Sequence, residues 1–272
     1  MQVPLGQLGG RTVATSVITL AATVLAAVGL LSTVDLPGVG GSGPVRGRFA
    51  PTRPVEVHSL PLGIGYPPPP GTGGYAVLAR QADGVTPISW DPCRPIHYVV
   101  RPDGQPAEGP ALMASAFARL ETATGLKFVD DGPTTEPVSL VGRASYQPGR
   151  YGDRWAPVLI AWSDKNEVPQ MAGVLGRAGP TTFDSGRKGG KRFVTGVVVF
   201  SRPGVAGLLD SGRDEQVEGV LLHELGHLVG LDHAGDPGQV MYSESFSPYT
   251  EYMAGDLRGL ALLGKGPCFT DY

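Results

Sequence analysis

Between residues 75 and 272 the order of strand-like and helix-like runs predicts an α+β domain. Three observations carry the prediction. A strand-like run at 95–100 is followed by an amphipathic helical pattern at 107–124, several more strand-like runs come next, and two helical patterns close the chain. Strands and helices are therefore grouped rather than strictly alternating.

What precedes the domain is of another kind. Residues 1–11 form a short N-terminal segment. From Thr12 to Val34 the chain runs 23 residues without a charged side chain, bounded by Arg11 and Asp35, which is long enough to span a bilayer. The stretch 12–34 reads as a transmembrane signal anchor with the N-terminus inside; a cleaved signal peptide competes, because Thr and Ser dilute the apolar content. Either reading exports the domain, to the outer face of the cell membrane or as a secreted protein. Residues 35–74 contain Gly-Val-Gly-Gly-Ser-Gly and the run from Pro67 to Pro70 without apolar periodicity, and read as a tether. Gly 41 and Pro 26 among 272 residues agree with long irregular segments. A formal net charge of -3 gives no reason to expect nucleic acid or an anionic membrane surface as partner.

Within 75–272 each element has its own warrant. The first strand is Pro-Ile-His-Tyr-Val-Val. In the helical pattern that follows, Leu112, Ala116, Phe117 and Leu120 share one face, and Gly125 supplies the stop. Runs at 126–129, 138–141 and 157–162 return as strands, the last read as an edge along which an extended peptide could lie. The most strand-like run is 193–201, with Val194, Val197, Val198, Val199 and Phe200 around Gly196. A helix then starts near Ser211-x-x-Asp214, which has capping-box form with Asp in place of Glu or Gln, and Asp214 and Glu215 suit a positive helix start. Its apolar stripe is Val217, Val220, Leu221, Leu225 and Leu228. A last helix covers 252–263.

The chemistry gathers at His223-Glu224-Leu225-Gly226-His227-Leu228-Val229-Gly230-Leu231-Asp232-His233. Residues four apart share a helix face, so His223 and His227 can converge on one ion. Glu224 lies beside them as a candidate base and not a ligand. Gly230 can take the left-handed conformation that ends a helix, which gives His233 a route back to the same ion. Eight residues after His233 comes Met241, within Asp236-Pro237-Gly238-Gln239-Val240-Met241-Tyr242.

These residues resemble the signature of the metzincin zinc endopeptidases, and most closely that of the matrixins. The resemblance implies a zincin-like domain with a twisted mixed sheet, a long helix after the first strand, an active-site helix, a Met-turn and a C-terminal helix. It also implies one catalytic Zn2+ held by His223, His227 and His233, Glu224 as general base toward a water on the open coordination position, and Met241 as the Met-turn residue. Asp256-Leu257-Arg258-Gly259-Leu260 is similar to the matrixin C-terminal helix. Protein or peptide would be the substrate. Two departures stand out: the histidines for the second, structural zinc of matrixins are missing, with Arg177 where one is expected, and Ser243 replaces the usual proline. His97 reads as a strand residue with a hydrogen bond. Structural Ca2+ is left open, as no Asp/Asn run resolves a calcium loop. Cys93 and Cys268, an even pair in an exported chain, read as one disulfide; a latency thiol at Cys93 is the discounted alternative. The competing functions are a non-catalytic zinc-stabilised surface binding domain and a hydrolase of a non-peptide bond.

Overall fold

The strand-like run beginning at Pro95 becomes the second of seven strands in the computed structural model, which describes residues 50–52, 55–184, 186, 190–243 and 249–271. In chain order the elements are β1 (Ala76–Val77), β2 (Ile96–Arg101), α1 (Gly109–Thr124), β3 (Phe128–Pro133), the short α2 (Pro148–Tyr151), β4 (Val158–Ser163), β5 (Gly176–Asp184), β6 (Lys191–Ser201), α3 (Arg202–Asp210), α4 (Asp214–Val229), β7 (Leu231–Asp232) and α5 (Ala254–Leu263). Five strands make one mixed sheet in the order β3-β2-β4-β6-β5. All its neighbours are parallel except β5, which runs antiparallel to β6 at the sheet edge. The expected α+β class and mixed sheet are what is found.

Side-chain alternation decides which elements lie on which face of the sheet. Ile160, Trp162, Val198 and Phe200 point into the main core, where they meet Phe117 and Leu120 of α1 and Leu221, Leu225 and Leu228 of α4. On the opposite face Val197 and Val199 meet Val168 and Met171 in a smaller cluster, with Val138 and Leu140 packed against it. Helix α1 stops where Gly125, at φ 77°, takes the left-handed conformation and donates its N–H to Glu121 O.

Several expectations are corrected. Residues 157–162 were expected at an edge, yet β4 is flanked by β2 and β6, and every residue in it is buried. An unbroken apolar run is what burial on both faces requires, whereas an edge strand alternates. The edge strand packed against α4, β5, has no strand signal in the sequence because Gly176, Gly179 and Pro180 are poor strand formers; Pro180 is tolerated because an edge strand need not donate on its outer side. Residues 138–141 form no strand, and their apolar side chains serve the smaller cluster instead. The proposed capping box is not formed. Ser211 closes α3, donating its hydroxyl to Gly207 O at 2.7 Å, and α4 begins at Asp214 without a side-chain cap.

The segment expected as a free tether is docked over 58–74. His58 N–H donates to Cys93 O (3.0 Å), Leu62 N–H to Pro92 O (2.9 Å) and Tyr66 N–H to Thr122 O (2.9 Å). Arg258 on α5 donates to Gly73 O and Pro70 O. Backbone hydrogen bonds leave no apolar period, which is why the sequence pattern misses them. The stretch 12–34 lies outside the described residues, among which no helix is long and apolar enough to cross a membrane.

Cys93 and Cys268 are joined in a disulfide with their Cα atoms 5.3 Å apart. It ties the residues ahead of β2 to the end of the chain across a separation of 175 residues, a closure worth roughly 5 kcal/mol in the chain-entropy account.

Candidate metal centre

Two structural decisions bring the three histidines together. The α-helical spacing of α4 puts His223 and His227 on one face, and Gly230, at φ 113°, ends the helix and turns the chain into β7. His233 follows directly. Strand β1 pairs with β7 in register Ala76↔Asp232 and Val77↔Leu231, which fixes the path of that return.

The three Nε2 atoms form a nearly equilateral triangle with sides of 3.1, 3.2 and 3.3 Å. On the far side of two rings, His223 Nδ1 donates to Val240 O and His227 Nδ1 to Leu231 O, each at 2.8 Å. A carbonyl can only accept, so Nδ1 carries the proton in both and Nε2 presents its lone pair inward. Three such lone pairs at this spacing repel one another unless a cation sits among them. Ligands 2.0–2.1 Å from a tetrahedral zinc stand roughly 3.3–3.4 Å apart, so the triangle fits an ion of that size and the triad can hold a metal. Burial lowers the pKa of all three imidazoles, that of His223 to about 4, and their mutual proximity lowers those of His223 and His227 further. Neutral imidazole is the metal-binding form.

Glu224, also on α4, is buried, and its Oε2 has no hydrogen-bond partner among the described residues. Burial pushes its carboxyl up to about 8, opposed by the positive charge of Arg177. A divalent ion nearby would bring it back down and favour the carboxylate. The side chain lies against the backbone of β5: a Cβ placed on Gly176 would come within 2.5 Å of Glu224 Oε1. The absence of a side chain at Gly176 is therefore what lets the carboxylate sit between α4 and the edge strand.

Met241 is fully buried against α4, where a Cβ on Gly226 would collide with its sulfur. The turn that carries it is held by one buried carboxylate whose role sequence reasoning missed. Asp256 accepts from Val240 N–H (2.8 Å), Met241 N–H (3.3 Å) and Met253 N–H (3.0 Å). Gln239 joins the same turn to the start of α5, its Oε1 accepting from Gly255 N–H at 2.7 Å and Asp256 N–H at 3.1 Å. Val240 thus links two tasks, since its carbonyl orients His223 while its N–H is held by Asp256.

The comparison with protein families bears on what these elements add up to. The peptidase M10 family model, described as Matrixin, matches residues 161–258. The chain carries a matrixin-like metzincin domain. The matched residues run from the end of β4 into α5, and include the histidine triad, Glu224, Met241 and Asp256. Matrixins are zinc metalloendopeptidases, so the domain is of a protein-hydrolysing class. No curated protein matches the chain.

The remaining expected residues fall elsewhere in the fold. His97 lies in β2, bridging Asp131 Oδ1 (2.8 Å) and Glu56 Oε2 (2.7 Å), away from the triad. Arg177 is exposed on β5, where its Nε donates to Gln170 O at 2.7 Å. Among the described residues one other cluster offers three potential metal donors, Asp91 with Cys93 and Cys268, and there both sulfurs are consumed by the disulfide.

Proposed function

We propose that this chain is a zinc-dependent endopeptidase that hydrolyses peptide bonds of proteins outside the cytoplasm. The observation that carries the proposal is the convergence of three Nε2 atoms, 3.1 to 3.3 Å apart, on the same helix-and-return unit as a buried carboxylate. His223, His227 and His233 would hold the ion, which in such a site supplies a Lewis acid for the peptide carbonyl and lowers the pKa of water.

The chain's own residues do the rest. Glu224 takes the proton of the attacking water and returns it to the leaving amine nitrogen. The free edge of β5 offers its backbone groups to an extended substrate, adding a strand alongside the site. This edge replaces the 157–162 segment that the sequence suggested. Met241 and the Asp256-anchored turn hold His223 in orientation. Two observations support action outside the cytoplasm: the Cys93–Cys268 disulfide, a bond that persists in oxidising compartments, and the uncharged stretch 12–34. A purely structural metal site would gain nothing from burying a carboxylate beside it, which argues against a non-catalytic binding domain.

The full chain incubated with a mixed peptide library is expected to cut internal peptide bonds. Cleavage should stop on treatment with a zinc chelator and return on adding zinc back. Cleavage that persists in metal-free protein would overturn the proposal.

A further inference from the structure

The free edge of the sheet differs chemically between its two faces. Phe200 and Val198 of β6 belong to the main core, and Val199 belongs to the smaller cluster on the opposite face. Their antiparallel partners on β5 follow the same alternation: Gly176 and Ala178 face α4, where a Cβ on Gly176 would meet Glu224, and Arg177 faces the other way. The face toward Glu224 thus carries only small side chains at Gly176 and Ala178. The other face presents the one charged side chain between Gly176 and Phe183. Arg177 is exposed yet oriented, because its Nε donates to Gln170 O at 2.7 Å. Its two terminal guanidinium nitrogens have no partner among the described residues, and such a fork is shaped to take a carboxylate. The guanidinium is also close enough for its charge to act on Glu224.

We propose that Arg177 is a specificity-determining residue that selects peptides with an aspartate or glutamate near the cut. The proposal rests on the endopeptidase reading and on substrate adding a strand at β5. In such a pairing, residues directly opposite one another point to the same face of the sheet. The substrate residue opposite Gly176 therefore turns its side chain toward Glu224. Its neighbour, opposite Arg177, turns its own toward the guanidinium. One strand residue covers about 3.4 Å, so a residue paired with Arg177 lies within about three positions of a bond cut beside Glu224. A carboxylate there meets two unengaged nitrogens held in a fixed orientation. A neutral side chain leaves them to water, and a cation is repelled. A charged residue on an exposed edge also deters pairing with other sheets, but that role asks nothing of the substrate's charge.

The test separates selection from catalysis. Blocked decapeptides of small neutral residues, with Glu, Gln or Lys placed at one position at a time, are offered to the full-length wild type and to Arg177→Glu. Values of kcat/KM are compared within each variant, so that any general change in activity cancels. The wild type is expected to prefer Glu over Gln about tenfold at one position near the cut, the lower end of what a hydrogen bond to a charged group contributes. Arg177→Glu should prefer Lys over Glu at that position and leave the others unmoved. Arg177→Lys, which keeps the charge and loses the guanidinium bond to Gln170, should retain the Glu preference. Equal ratios in wild type and Arg177→Glu, or a uniform fall in cleavage with unchanged ratios, would overturn the proposal. The same peptides are selected for binding on immobilised full-length Glu224→Ala, with and without Arg177→Glu, a readout that needs no hydrolysis. A charge preference in binding that follows residue 177, without cleavage by the wild type, would sink the endopeptidase reading and support Arg177 as a selector of acidic peptides. Cleavage without charge preference would do the reverse, and neither cleavage nor preference would overturn both.

Discussion

Replacing Glu224 by alanine is expected to leave the metal bound and to lower peptide cleavage by about 10²–10⁴-fold, the range a positioned general base contributes. The two effects separate because Glu224 is no part of the Nε2 triangle, whose sides are 3.1 to 3.3 Å. Nor should the variant unfold. The carboxylate is buried with an unpartnered oxygen, so its removal relieves a desolvation cost that partly offsets the lost packing. Glu224→Gln is the closer control, since it keeps the volume beside Gly176 and removes only the basicity. Zinc content by elemental analysis, with cleavage of the best library peptide, checks both halves. Full activity in Glu224→Ala would remove the base from the mechanism.

Asp256→Ala is expected to cost about 3–5 kcal/mol of stability, measured by denaturant unfolding of the metal-free protein. The substitution leaves three buried N–H donors, of Val240, Met241 and Met253, without their acceptor, and each such loss costs about 1–3 kcal/mol. The total stays below the sum because burial already raises the pKa of the Asp256 carboxyl, so the native state holds that charge at some expense. A second readout follows from Val240, whose carbonyl orients His223. Loosening that turn should weaken zinc binding by roughly 10–100-fold, the usual cost of losing an outer partner of a ligand. Unchanged stability and unchanged zinc affinity together would show that Asp256 does not anchor the turn.

The histidine site was legible because helix periodicity is local: positions 223 and 227 must share a face, and Gly230 must allow the turn, whatever the rest of the fold does. The same holds for α1, where apolar spacing and Gly125 define both face and end. What the sequence hid was set by longer-range geometry. Strand β5 has the composition of a loop, and only its antiparallel pairing with β6 makes it the sheet edge beside Glu224. Residues 157–162 had the right pattern and the wrong place, since their unbroken apolar run already signals a strand covered on both faces. Asp256 stood within a recognised motif, but its role depends on a turn ending fifteen residues earlier, a distance that no periodicity spans. The docking of 58–74 is carried by backbone groups and glycines, which leave no apolar signature.

The central claim is that His223, His227 and His233 together hold one zinc. The most direct measurement is zinc bound per chain in the purified, folded full-length protein, compared with His227→Ala after both are dialysed against a weak chelator. One zinc per chain in the wild type and none retained in His227→Ala is the predicted result. A folded wild-type protein that takes up no zinc, or a His227→Ala variant that keeps it, would contradict the account.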